Sequence, residues 1–383
     1  MVNAPFPVPE NVFAYVSGRI EQAAHSLWPG ATVGLGPHVP SVTGYVRRLD
    51  VDDRPMFAKV SLLGSSLVSV LRGTLGDWAA VKAKQDAYSA TPGGLLERET
   101  IQYGILHTAR LRAPRIAGYA GGVLFTEPVV GPTLADLIAK DPYRTAELLT
   151  TVTGELGALH RADVTALVTA AAIPERSVHA TFARKFNGIS GHAYLTLTGN
   201  HAPVLAEVVA RLRKVRLTGA PAAVVYGDLK PEHIVFPDGS DGRPAFLDPG
   251  MSLGHPESDL GKLVSRLVLG LLAAPHQGAG TAAVLGGIGQ FADAAGQSME
   301  RETRAAWLRQ LVVLWLMDTA NILTTYLTAP AGLPLPEQAR QVIDRAGAVS
   351  AMLDRASAAL EERADGPAVW RLALGHAGTA AGR

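Results

Sequence analysis

Two acids and a histidine in the third quarter of the chain have the types and spacing that phosphoryl transfer uses. In Tyr226-Gly227-Asp228-Leu229-Lys230-Pro231-Glu232-His233-Ile234-Val235-Phe236 an acid lies in a loop, a second ligand-type side chain follows five residues later, and an apolar strand comes next. Fifteen residues after His233, the run Phe246-Leu247-Asp248-Pro249-Gly250 ends a second apolar strand in another acid. Phosphoryl transfer needs a carboxylate that accepts the proton of the attacking hydroxyl, and side chains that hold Mg²⁺. Asp228 suits the first task, and Asp248 with His233 the second, although Mg²⁺ prefers oxygen to imidazole nitrogen. Lys230, two residues after Asp228, is an ammonium able to stabilise charge on a moving phosphoryl group. Plainer readings are two loop acids in ordinary turns, a packed histidine and a solvated loop lysine. The double spacing argues against them for the acids; for His233 and Lys230 both readings stand.

These groups need elements to position them. Ala31–Gly36 reads as a strand, Gly36–Gly44 as a loop, and Tyr45–Val51 with Met56–Ser61 as a hairpin turning at Asp52-Asp53-Arg54-Pro55. Residues 62–94 hold two helix-like stretches and end at the breaker Thr91-Pro92-Gly93-Gly94. A helix from about Leu95 to Arg110 follows, with Ile101, Ile105 and Leu106 as its apolar positions, then strands Arg115–Tyr119 and Val123–Val130. Beyond Gly131-Pro132 the texture turns helical, with Thr133–Lys140 and Tyr143–Arg161, a loose region from Ala172 to about Val204, and a basic helix. Short strands Ala223–Tyr226 and Ala245–Leu247 surround a turn at residues 237–242. From Ser258 onward the chain reads as helical, with a Gly-rich loop at Gly278–Gly289, an amphipathic stretch Glu337–Glu362 and a frayed tail. The fold class is therefore α+β: a small antiparallel-sheet lobe (residues 1–128, with a helical insertion at 62–94) and a larger helical lobe (residues 129–383). No internal repeat is visible.

The loop and its downstream acid resemble the aminoglycoside phosphotransferase and choline kinase-like family, a branch of the bilobal protein-kinase-like fold. In the protein-kinase catalytic loop Asp and Asn stand five apart and Asp-Phe-Gly follows; here Asp228, His233 and Asp248 occupy those places. Phe57-Ala58-Lys59-Val60 resembles the strand lysine that grips the α/β-phosphates. Glu99 falls where its ion-pair partner is expected, with Glu97 as the alternative. Val129-Val130-Gly131-Pro132 looks like the hinge whose backbone binds adenine, and Ser41 and Thr43 lie in the loop expected to cover the phosphates. Leu156-Gly157-Ala158-Leu159-His160 matches a family helix end, and Gly254 to Leu260 resembles the segment whose acid, here Asp259, buttresses the catalytic loop. The chain departs from the pattern at Tyr226, where His or Arg is usual, at His233 and at Pro249. Replacements like His233 occur in macrolide phosphotransferase-like sequences. Asp-Leu-Lys-Pro-Glu is nearly the loop of Ser/Thr protein kinases, which points Lys230 toward a peptide hydroxyl.

Composition removes other chemistries. With no cysteine there is no disulfide framework, thiolate zinc site, iron–sulfur cluster or cysteine nucleophile. Lys+Arg 35 against Asp+Glu 34 gives a net +1, which argues against nucleic-acid or membrane binding across the surface. Between Val178 and Ala223, however, six basic residues (Arg184, Lys185, Arg211, Arg213, Lys214, Arg216) face Glu207 alone, a local +5 that suggests either an acidic acceptor or a solvated helix face. The opening residues lack a signal-peptide pattern, and Trp307–Leu327 carries Arg309 and Asp318, as a buried helix would; a cytoplasmic setting is expected. Gly261-Lys262 resembles the end of a Walker A motif but lacks its first glycine and its Ser/Thr. The resemblance implies an ATP- and Mg²⁺-dependent O-phosphotransferase. Its acceptor would be a small natural-product hydroxyl or Ser/Thr of a precursor peptide, the latter with a partner lyase, as in lanthipeptide-type pathways. The alternative is a pseudokinase-like scaffold that binds nucleotide and a partner without transfer.

Overall fold

The computed structural model describes residues 7–362 and 365–382. By its contacts the chain divides into two units: residues up to Ile105 with Ala113–Val129 and Thr328–Pro336, and Leu106–Arg112 with Val130–Leu327 and Glu337 onward.

The first unit starts with a helix that the sequence reading missed, α1 (Pro9–Leu27). Val12, Val16, Ile20 and Ala24 recur every fourth residue and are all buried, so one apolar stripe docks it. Strands β1 (Val33–Val39), β2 (Tyr45–Val51) and β3 (Arg54–Val60) follow. β1 runs on through Gly36 by way of a bulge between Leu35 and His38, which shortens the expected loop. Asp52 and Asp53 both take left-handed backbone (φ 49° and 62°) and pair Val51 with Arg54, so the hairpin turns on two residues. The insertion contains α2 (Leu67–Leu71) and α3 (Trp78–Ala90), and α4 (Leu95–Thr108) succeeds it. Gln85 ties α3 to the end of β3 by accepting from Leu63 N (2.9 Å) and donating to Ser61 O (3.1 Å). Ile105 and Leu106 are buried, but Ile101 is an exposed position of α4. With β4 (Ile116–Ala120) and β5 (Val123–Thr126) the antiparallel sheet has the order β1-β2-β3-β5-β4. Arg19 of α1 reaches Asp86 (2.5 Å) and Gly121 O (3.0 Å), fastening α1 to both α3 and the β4–β5 turn.

The second unit is mainly helical: α5 (Leu134–Lys140), α6 (Thr145–Arg161), α7 (Thr165–Ala170), α8 (Val178–Lys185), α9 (Gly188–Thr196) and α10 (Ala202–Lys214). The region expected to be loose thus contains α8 and α9, with Phe182 and Phe186 buried against each other. Thr133 starts α5 with a capping box, its hydroxyl accepting from Asp136 N and its amide donating back to Asp136. Two small antiparallel pairs follow: β6 (Ala223–Val225) with β9 (Ser252–Gly254), and β7 (Ile234–Val235) with β8 (Ala245–Phe246). The core is α11 (Ser258–Ala273) packed on α13 (Arg301–Leu327), with α12 (Gly280–Ala295) between them in sequence. Gly261 permits that approach, since a Cβ there would lie 2.7 Å from Leu314 Cβ.

Two further expectations, at Gly278–Gly289 and in the C-terminal tail, differ from the structure. Gly278–Gly289 is mostly helix α12, not loop; a Cβ on Gly287 would sit 2.6 Å from Thr145 Cβ, so this glycine lets α12 close on α6. The stretch Glu337–Glu362 is helical, as expected, and divides into α14 (Glu337–Asp344) and α15 (Ala346–Glu362). The supposed frayed tail is α16 (Gly366–Ala380), whose buried Trp370 meets Trp315 edge-on at 6.0 Å. Among the described residues no helix is long and apolar enough to cross a membrane.

Candidate active site

In the first unit, Lys59 projects from β3 with Ala58 and Val60 buried on either side of it in sequence. Its Nζ donates to Glu99 Oε1 at 2.8 Å, and Glu99, on α4, is fully buried. A buried carboxylate of this kind needs a cation, and the pair fixes where the lysine head points. Glu97 is committed elsewhere: it accepts from Gly93 N at 2.7 Å and closes the start of α4. Ser41 and Thr43 lie in the loop between β1 and β2, where Ser41 Oγ accepts from Thr43 N (3.2 Å) and Gly44 N (3.4 Å). The loop is pinned from its other side by Leu67 N on Thr43 O. Val129 and Val130 follow β5; Val130 is 78% exposed, so its side chain plays no part in the core.

In the second unit, the loop after β6 carries Asp228 with its carboxylate almost covered. Lys230 Nζ lies 2.8 Å from Oδ2, and Lys262 Nζ of α11 lies 2.5 Å from Oδ1. Burial would raise the Asp228 pKa, but the Lys230 and Lys262 ammonium groups prevail and hold it well below the usual carboxylate range. Burial pushes the Lys230 and His233 values down, and Lys230 adds to the effect on His233. The loop is set from below: Asp259, at the start of α11, accepts from Tyr226 N (2.6 Å) and Gly227 N (2.7 Å). Tyr226, at the family's His/Arg position, donates its hydroxyl to Leu247 O at 2.6 Å and so links the loop to the β8 end that presents Asp248.

His233 Nε2 is 3.8 Å from Asp248 Oδ2, and His233 Nδ1 is 4.0 Å from Asp228 Oδ2. That buried Nδ1 has no hydrogen-bond partner among the described residues. A buried imidazole with an unsatisfied nitrogen beside a carboxylate fits a divalent cation that takes one or two protein donors and fills its remaining positions with water and phosphate oxygens. His233 and Asp248 would hold it, and the bound ion would neutralise charge on the phosphates. The nitrogen donor favours Mn²⁺ over Mg²⁺ relative to an all-oxygen set. His233→Asn is therefore expected to raise the ratio of the Mg²⁺-supported to the Mn²⁺-supported rate by about tenfold, measured as ADP release under each ion. An unchanged ratio would remove His233 from the metal.

Two residues matter here that the sequence reading passed over or did not see. Lys262 reads in sequence as the end of a degenerate Walker-like motif; the signal for its role is its place three residues after Asp259, on the same face of one helix. Arg176, in a short 3-10 turn before α8, donates to Asp248 O (3.2 Å) and Pro249 O (2.6 Å) and thereby holds the loop around Asp248, whose φ is 57°. Nothing in the sequence marked it. The basic segment is also corrected: Arg211 pairs with Asp354 (2.6 Å) and Lys214 with Glu361 (3.0 Å) of α15, while Lys185 donates to Asn321 O and Thr325 Oγ1 on α13. Much of the local +5 is therefore spent on packing helices together.

Residues 74–315 match the sequence profile of the phosphotransferase enzyme family, and the chain belongs to that family. It has the protein-kinase-like fold and is an ATP-dependent enzyme that phosphorylates a hydroxyl group, a chemistry that also uses a divalent metal. Solved structures that it resembles include an ethanolamine kinase from Plasmodium vivax (11% identity, 93% of this chain and 94% of that one, TM-score 0.49). Others are an amicoumacin kinase in complex with AMP-PNP, Ca²⁺ and Ami (13%, 94% and 97%, 0.46) and an aminoglycoside-3'-phosphotransferase of type VIII (19%, 79% and 99%, 0.44). No curated protein matches the chain in sequence.

Proposed function

We propose that the protein transfers the γ-phosphoryl group of ATP, with Mg²⁺ or Mn²⁺, to a hydroxyl of a natural-product-type acceptor that is not a polycation. The observation that carries this reading is the contact of Lys230 with Asp228 at 2.8 Å, reinforced by Lys262. An acceptor hydroxyl has to approach Asp228 past an ammonium, which repels a polyamine drug and welcomes a neutral or anionic molecule. Within this class the Asp228-Leu229-Lys230-Pro231 loop favours Ser or Thr of a precursor peptide over a small metabolite. A phosphate placed on that side chain would then be the leaving group for a partner lyase. In this reading Lys59, oriented by Glu99, grips the nucleotide phosphates; the loop holding Ser41 and Thr43 covers them; and the Val129–Val130 backbone meets the adenine. Asp228 accepts the hydroxyl proton, Lys230 stabilises the moving phosphoryl group, and a cytoplasmic setting supplies ATP.

The test incubates the protein with ATP and either metal, offering Ser/Thr peptides and neutral hydroxylated metabolites beside an aminoglycoside. A mass gain of one phosphoryl group on a peptide or neutral acceptor, absent with Asp228→Asn, is expected. Phosphorylation of the aminoglycoside alone would overturn the acceptor class. Nucleotide binding with no transfer to any acceptor would favour the scaffold reading.

A further inference from the structure

Lys262 is an ammonium in a place where an apolar side chain would cost less. It lies on α11 among buried Gly261, Leu263 and Val264, and its own side chain is 7% exposed. A buried cation is unfavourable unless it is paired and hydrogen-bonded. Here Nζ meets Asp228 Oδ1 at 2.5 Å, Gly227 O at 3.3 Å and the carbonyl of Arg176 at 3.4 Å. All three lie on the two segments that carry the reacting acid and brace the metal loop. The other carboxylate oxygen, Oδ2, is covered by Lys230, which stands on the loop itself. The two lysines thus differ in tether: one is fixed in a helix of the core, the other sits at a loop position able to turn toward a phosphate.

We propose that Lys262 is a positioning residue for phosphoryl transfer, holding the Oδ1 edge of Asp228 so that Oδ2 faces the acceptor hydroxyl when Lys230 leaves it for the γ-phosphoryl oxygens of ATP. In the step so arranged, the acceptor oxygen forms a bond to the γ-phosphorus. The bond from that phosphorus to the bridging oxygen breaks, with its electron pair departing on ADP. The acceptor proton passes to Asp228 Oδ2. This inference rests on the reading of Asp228 as the proton acceptor given above.

The absence of cysteine makes a clean test available. In Lys262→Cys the introduced thiol is the only one, so it can be alkylated in the unfolded chain before refolding. Treatment with 2-bromoethylamine builds a side chain ending in an ammonium; treatment with bromoethane builds a neutral one. ADP release from ATP and Mn²⁺, with water as the acceptor, gives kcat and KM, and circular dichroism checks refolding. Lys262→Cys is expected to lower kcat about 100-fold, with KM for ATP changed less than about threefold. Aminoethylation should recover most of that loss and ethylation should not. Equal recovery by both, or no loss in Lys262→Cys, overturns the proposal, because a filler would then suffice. Should the alkylated chains not refold, directly expressed Lys262→Arg and Lys262→Met serve: Arg must retain the higher kcat, and the reverse order overturns the proposal. Asp228→Asn is the control for the underlying reading. If it matches the wild type, or if the wild type releases no ADP with water or with any of the acceptors offered above, that reading fails and this inference falls with it. If Asp228→Asn is inactive while Lys262→Cys is not, only the inference fails.

Discussion

Gly227→Ala is expected to lower phosphoryl transfer by ~100-fold or more and to destabilise the helical unit by ~3 kcal/mol, while nucleotide affinity is weakened far less. Gly227 has φ 86°, a region L side chains avoid, and a Cβ there would lie 2.0 Å from Gly250 O. Neither neighbour can yield cheaply. Gly227 N is bonded to Asp259, and Gly250 N donates to Tyr226 O at 2.9 Å, so the two loops are laced together at this point. An added methyl has to separate them, which moves Asp228 relative to Asp248, and a shift near 1 Å at a reacting group costs ~100-fold or more. ADP release and urea unfolding measure the two effects. A variant with wild-type turnover would mean that the two loops do not need their observed spacing.

The second large effect is expected at Asp318. On α13 it is 2% exposed and accepts from Arg266 Nε (2.7 Å), Arg266 Nη2 (3.2 Å) and Ser265 Oγ (2.9 Å) of α11. Asp318→Ala leaves a guanidinium buried without its carboxylate, and removal of one partner of such a pair costs ~3–5 kcal/mol. Replacing both, as in Arg266→Met with Asp318→Leu, is expected to cost much less, because no charge is then stranded. Equal losses in the single and double variants would show that packing, not charge, is what counts. The pair also sets a pH dependence. Burial opposes ionisation of Asp318, but Arg266 prevails and holds its pKa below the usual range. Since the folded value is depressed, the stabilisation is present above the unfolded carboxyl value of about 3.9 and is lost as pH falls through the lower folded value. The stability of the wild type should therefore fall as pH is lowered below about 4, and Asp318→Asn should remove that part of the dependence, read as urea midpoints across that pH range.

The parts of the site that were legible in the sequence share a property: each is marked by local spacing. Asp228, His233 and Asp248 fall at fixed intervals around short apolar runs, and the structure brings all three within one neighbourhood. Lys59 was visible as a lone cation in an apolar strand, and Glu99 as a charge on the next helix. What escaped notice depends on partners distant in the chain. Arg211 looked like surface charge because Asp354 is 143 residues away, and Arg176 because the carbonyls it binds are more than 70 residues away. Helix α12 was hidden by glycines that cost helix propensity locally but permit close packing on α6. Helix α1 was hidden by the prolines before it and by Val-Phe-Ala-Tyr-Val, which reads as a strand until Val12, Val16 and Ile20 are seen to share one stripe.

Asp259 has a consequence for how such an enzyme can diversify. The amides of the catalytic loop hang from this one carboxylate, and it stands at the head of a helix whose buried side chains belong to the core. Helices α8 and α9 present many exposed residues, meet each other through Phe182, Phe186 and Tyr194, and are tied to α13 through Lys185. Inherited change in the two regions therefore has unequal cost. Drift in residues 178–196 falls mainly on the outer surface, whereas drift in residues 258–266 disturbs the core helix and the seat of the Asp228 loop at once. A lineage can vary the first region while the seat of the Asp228 loop stays in place.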